Sequence, residues 1–371
     1  GALSSGTSTT LFTLPVGMRP ATDVYVPVGL CTATKGRLRI QPSGVVTVEG
    51  PSFSDAQCFT SLDGVSFAPS SAGFSNLTLL NGWLGAPFST SSAAVSTIDG
   101  IVRLKGAVAD GASGVLFQLP AGMRPASDVY VATDLCGAAA GRLVIHSDGF
   151  VEVEVAPSGT FGSTAVCFTS LDGVSFVPAP PVGFAPLTLL NGWASGAFGT
   201  QTASVALYDG IVHFKGAITS GSTFHVFTLP VTLRPEENVY VPVDMVGARV
   251  GRLVILPNTG IALVEARDAN FATAQNFTSL EGVSFDKSAT GVPVSTALTL
   301  ENGWSPTVFE TAIPAVSRAN GILHFRGAVS HGTTSRIATL LPSMHPGTQV
   351  YLPIGLCNAV KGRLRISPTG D

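Results

Sequence analysis

Aromatic side chains recur in this sequence at a spacing that suits carbohydrate recognition. Trp83, Trp193 and Trp304 each end an Asn-Gly-Trp tripeptide, and Phe88, Phe198 and Phe309 each follow within the same loop. An aromatic face stacks on the C–H face of a sugar ring, and loops between strands commonly carry such contacts. The same tryptophans could instead close the end of a hydrophobic core. Two further sets recur: Arg37, Arg142, Arg252 and Arg363 in Gly-Arg-Leu, and Tyr25, Tyr130, Tyr240 and Tyr351 in Val-Tyr-(Val/Leu). These read as structural, through a hydroxyl hydrogen bond and a packed guanidinium stem.

Catalytic chemistry finds little support. No lysine follows a glycine, so no phosphate-cradling Gly-Lys loop exists, and His-Glu-x-x-His and Gly-x-Ser-x-Gly are absent. Of six histidines, His213 and His324 share one repeat position, where the other copy carries Arg103. A general base needed in each copy would not be exchanged for arginine, so these histidines read as exposed strand residues. Asp63, Asp172 and Glu281 recur, but each precedes glycine and reads as a hairpin residue. Glycoside hydrolysis needs paired recurrent acids, and one set is present. The expectation is a non-enzymatic protein with no catalytic residue, no metal and no cofactor.

Five cysteines occupy two repeat positions. Cys31, Cys136 and Cys357 share the first with Val246; Cys58 and Cys167 share the second with Asn276. Joint presence and joint absence predict disulfides Cys31–Cys58 and Cys136–Cys167, with Cys357 left over. Two buried free thiols in each copy are the alternative. Disulfides place the chain in an oxidising setting: extracellular, on a cell surface or on a virion surface.

These residues sit in a repeat of about 110 residues. Phe-Thr-Ser-Leu-(Asp/Glu)-Gly-Val-Ser-Phe occurs at 59–67, 168–176 and 277–285, and Gly-Arg-Leu-(Arg/Val)-Ile occurs at 36–40, 141–145, 251–255 and 362–366. Segments 68–76, 177–186 and 286–297 are rich in Pro, Ser, Gly and Ala and read as linkers. Two modules are then complete, 77–176 and 187–285. Residues 1–67 form a partial module without its first strands, and 298–371 one without its last. Either the chain is an excerpt of a longer repeat, or truncated modules complete each other by strand addition.

Within a module the periodicity is that of strands. Val151, Val153 and Val155 alternate with Glu152 and Glu154; Val102 and Leu104 alternate with Arg103 and Lys105. Asp99-Gly100, Asp148-Gly149 and Asp172-Gly173 suit tight hairpins. The fold expected is all-β: tandem repeats of a jelly-roll-like antiparallel β-sandwich. Charged residues make up only 12% of the chain and the net charge is −3. No basic tract suggests a nucleic-acid partner, and no apolar run is long enough for a membrane helix. A sparsely charged surface suits modules that pack on neighbours.

The ordered motif series resembles the module of phage and prophage tail-fibre and receptor-binding proteins. It runs Asn-Gly-Trp (191–193), Gly-Ile-Val-His-Phe-Lys-Gly (210–216), Phe-Thr-Leu-Pro (227–230) with Arg-Pro (234–235), Gly-Arg-Leu-Val-Ile (251–255) and Ser-Leu-Glu-Gly-Val-Ser-Phe (279–285). The resemblance implies a β-sandwich fibre tip, often trimeric, that attaches to a cell surface, and it brings no catalytic residues. Such tips trimerise between chains, whereas here the copies are joined in tandem. A pseudo-trimer, a linear string or a strand-exchanged polymer follows. The expected partners are neighbouring copies of the chain and cell-surface polysaccharide. A purely structural fibre or coat element is the alternative, and a glycan-active enzyme a second one.

Overall fold

The computed structural model describes residues 2–3, 8–14, 18–30, 35–50, 52–58, 60–61, 64–267, 270–287, 295–306, 310–327, 329–330, 337–340, 346–347, 349–356 and 360–366. They form an all-β structure of short, almost entirely antiparallel strands. Among the described residues, α-helix is limited to Phe53–Cys58, Ser163–Cys167 and Phe271–Asn276.

The first complete module starts its pairing at Ser75–Asn76, two residues ahead of the boundary read from the sequence. One of its sheets runs 175–176, 101–105, 94–98, 75–76; a second runs 115–118, 150–155, 140–145, 129–134. Val102, Leu104, Leu116, Phe117, Leu143 and Val153 fill one core. Val151 and Val153 are buried while Glu152 and Glu154 stay accessible, as the period-two pattern requires. Left-handed backbone at Asp99 (φ 54°) and Gly100 (φ 73°) makes the two-residue turn that sets Ile98 opposite Ile101. Asp209-Gly210 and Asn320-Gly321 make the same turn. The Arg-Pro motif locks another bend: Arg124 Nε donates to the Leu119 carbonyl (3.1 Å), and Arg234 Nε to that of Leu229 (3.0 Å). The second complete module repeats these pairings from Ala185–Pro186 to Ser284–Asp286 around its own core.

The two partial modules join into a third. Strand Ile322–Arg326 pairs with Ser66–Phe67, setting Leu323 opposite Phe67 and His324 opposite Ser66. That pairing matches Val102 opposite Phe176 and Val212 opposite Phe285. One core holds Phe12, Val26, Leu38 and Phe67 from the start of the chain with Trp304, Leu323, Phe325 and Ile337 from its end. Strands Gln349–Leu356 and Val360–Ile366 pair with each other antiparallel and repeat the motifs of 24–41.

Cys136 and Cys167 form the expected disulfide, Cα atoms 5.6 Å apart, tying a strand end to the short helix. The Cys31–Cys58 pair and Cys357 lie outside the described residues and side chains. Reduction of Cys136–Cys167, which closes a loop of sequence separation 31, is expected to lower stability by about 3–4 kcal/mol. Urea unfolding with and without reductant measures it, and an unchanged midpoint would contradict the bond's role.

Candidate functional site

The three modules close into a ring, and the aromatic and arginine motifs sit at its seams. Tyr25 and Arg37 of the composite module meet Phe168, Asp134 and Ser170 of the first complete module. Arg37 Cζ lies 4.7 Å from the Tyr25 ring centroid and 5.3 Å from that of Phe168. Its Nη1 donates to Asp134 (3.3 Å) and to the Leu135 carbonyl (3.2 Å), and Nη2 pairs with Glu49 (2.9 Å). Ser170 Oγ donates to the Tyr25 carbonyl.

The next seam repeats this arrangement. Arg142 Cζ lies 4.7 Å from the Tyr130 ring and 5.9 Å from that of Phe277. Its Nη1 reaches Asp244 (3.1 Å), its Nε reaches Glu154 (2.7 Å), and Ser279 Oγ donates to the Tyr130 carbonyl (2.6 Å). The third seam closes the ring, with Tyr240 packed against the core of the composite module and Arg252 4.9 Å from the Tyr240 ring. Glycines set the approach: a Cβ on Gly173 would stand 2.5 Å from Val26 Cγ1, on Gly64 2.5 Å from Val241, and on Gly282 3.0 Å from Val131. Each contact joins one module to the next in the same rotational sense. The recurrent Arg and Tyr are structural, but through ring face and guanidinium.

At the rim of two seams stand Phe88 and Phe198. Both are exposed, at 58% and 64%, and both hold left-handed backbone (φ 52° and 54°), which is strained for a bulky side chain. Each stacks edgewise on a seam phenylalanine: Phe88 on Phe168 (5.7 Å) and Phe198 on Phe277 (5.3 Å). Phe198, Phe277, Val246 and Gly247 then face Tyr130 and Arg142 across a cleft of about 80 Å³. Backbone contacts hold the rim to its neighbour: Asp23 N donates to Ser89 O (2.6 Å), and Asn238 N to Glu310 O (2.9 Å). Phe309 lies outside the described residues.

The tryptophans are core residues. Trp83 is 3% exposed and its indole donates to the Ser113 carbonyl at 2.9 Å; Trp193 does the same to Thr223. A Cβ on Gly111 or Gly221 would overlap the indole above it. Trp304 is equally buried. No indole face is open to a ligand in this conformation, so the exposed aromatic surface of these loops belongs to Phe88 and Phe198.

A second, open cleft of about 540 Å³ lies on the first complete module, lined by Asn81, His146, Asp148 and Glu152. His146 Nδ1 meets Asp128 (3.0 Å), and its Nε2 faces Glu152 (3.9 Å) rather than a hydroxyl, so no nucleophilic triad forms. Among the described residues, no group of three or more His, Cys, Asp or Glu could hold a metal, and no helix is long and apolar enough to cross a membrane. Comparison with protein-family models, curated proteins and solved structures finds no match.

Two sets of titratable groups differ from the sequence expectation. His213 and His324 are buried, not exposed strand residues, because the second face of their strand packs against other modules. Asp172 and Glu281 do precede turn glycines, yet their carboxyls are buried and accept the N–H of Gly106 (3.1 Å) and Gly216 (2.7 Å). Burial pushes both up to about 7, against the opposing charges of Lys105 and Lys215. A carboxyl raised in the fold adds stability that is full below its unfolded pKa of about 4 and is lost as pH rises to about 7. Burial lowers His213 to about 3, which acts oppositely: its contribution is full above pH 6.5 and lost on acidification. The Asp172→Asn/Glu281→Gln variant is thus expected to gain Tm relative to wild type as pH rises from 4.5 to 8. A pH-independent Tm difference would show the carboxyls to be ordinary. Separately, Arg142→Ala, which strips the partner from buried Asp244, is expected to cost about 3 kcal/mol, measured by chemical unfolding.

Proposed function

We propose that the chain is a non-enzymatic extracellular attachment protein: a single-chain pseudo-trimer of jelly-roll-like β-sandwich modules, similar to a tail-fibre tip. In this reading it binds cell-surface glycans at the seams between modules. The observation that carries the reading is that exposed Phe88 and Phe198 each stack on a seam phenylalanine, Phe168 or Phe277, that Arg37 or Arg142 also faces, at equivalent seams of the ring. A phenyl face takes the C–H face of a pyranose, while guanidinium and carboxylate edges beside it take hydroxyls. Backbone strain held at two equivalent aromatic positions supports a role that packing alone does not require. Multiple weak sites on one rigid body gain from avidity on a repetitive surface.

A purely structural coat or fibre element is the second reading. It is supported by the apolar, sparsely charged composition and by Leu84, Val182 and Val231, exposed elsewhere on the surface. A glycan array probed with the whole chain separates the two. The attachment reading expects binding to a defined glycan class, weakened about tenfold by Phe88→Ala or Phe198→Ala and more by both, with unchanged Tm. Absence of glycan binding together with self-assembly into fibres would overturn it in favour of the structural reading.

A further inference from the structure

Three hairpins, 94–105, 204–215 and 315–326, meet at the centre of the ring. Asn320 at the tip of one donates to Asp99 (2.7 Å) and to Asp209, the equivalent residues at the other two tips. Strands Ile101–Lys105, Ile211–Lys215 and Ile322–Arg326 are buried along their whole length. Alternate residues explain this. Val102 and Leu104, Val212 and Phe214, and Leu323 and Phe325 enter the three module cores. The other face carries Ile101, Arg103 and Lys105 and their counterparts toward the neighbouring modules; Lys105 Nζ, for example, donates to Ala68 O of the composite module (2.8 Å). Arg103, His213 and His324 thus form one layer of this central column.

That layer is buried, and among the described residues no acid forms an ion pair with Arg103. Arg103, His213 and His324 are 6%, 6% and 5% exposed. Arg103 Nε has no hydrogen-bond partner. Asp99 lies close enough to favour the charged guanidinium, but it is held by Asn320 at the tip. Of the other buried acids, Asp172 and Glu281 are engaged by Gly106 and Gly216, Asp286 by Ser295 and Ser317, and Asp23, Asp134 and Asp244 by Arg39, Arg37 and Arg142. A buried, unpaired guanidinium is among the most costly groups a fold can carry.

We propose that the layer binds one small inorganic anion of halide size, held by the Arg103 guanidinium and the N–H groups of His213 and His324. Burial brings Arg103 down only to about 10, so it stays cationic at neutral pH. The imidazoles, lowered by burial and by Arg103, are neutral there, and each still presents one N–H. The anion would join the three modules through one residue from each.

Crystals of the whole chain grown or soaked in sodium bromide test this directly. The expected result is one anomalous peak per chain among Arg103, His213 and His324, absent in Arg103→Gln. An ordered water there in bromide, or no density, would overturn the proposal without any variant. In solution, Tm in chloride or bromide is expected to exceed that in gluconate at equal ionic strength by several degrees, since an anion bound only by the folded ring stabilises it. His213→Gln, which keeps the cation, is expected to retain a reduced halide effect, and Arg103→Gln none. A full halide effect in Arg103→Gln would also overturn the proposal.

Discussion

The arrangement depends on a guanidinium shared between modules. Arg142 stacks on Tyr130 of its own module, reaches Asp244 of the next and is steadied by Glu154 across its own strand pair. Asp244 is almost fully buried, so its charge needs that partner. Arg37 and Asp134 make the same bond one seam earlier. At the third seam the position matching Asp134 and Asp244 holds Gly29, and Arg252 pairs with Glu265 on its own sheet. Among the described residues, two seams carry ion pairs across the boundary as well as packing.

This accounts for the unusual distribution of charge. Only 12% of residues are charged, yet Arg103, Lys105, Asp134, Asp172, Lys215, Asp244, Glu281, Asp286 and Arg326 are all buried. Ionisable residues are normally found at the surface. Here they are concentrated where module meets module, giving apolar sandwiches a definite register against one another. Contact through valine and phenylalanine alone would leave the rotation of one module on the next poorly specified.

Much of this was legible in the sequence, for reasons that can be traced residue by residue. Alternation at Val151–Val155 gave a strand, Asp99-Gly100 a hairpin, and the joint replacement of both cysteines by Val246 and Asn276 in one module the Cys136–Cys167 bond. The indole positions admitted two readings, and a ring buried over glycine is a fact of packing that spacing cannot convey. The histidines misled because Val102-Arg103-Leu104-Lys105 looks like a strand with one wet face. That face is polar and dry at once, a combination that arises only when three modules converge. Likewise, Asp172 and Glu281 carry the local signature of a turn, while their partners lie some 65 residues away. Closure by Ser66–Phe67 onto Leu323–His324 joins the two ends of the chain, which no local pattern reveals.

Covalent linkage of the three modules frees them from having to be identical. In an assembly of separate identical subunits, arginine at the position of Arg103 would appear three times around one axis, and the mutual repulsion would be severe. Fused copies allow one arginine beside two imidazoles, and an asparagine between two aspartates at the hairpin tips. Each seam, and each rim phenylalanine, is likewise free to drift in sequence without altering its counterparts. A molecule of this type can diversify one third of its circumference at a time while the remainder keeps it folded.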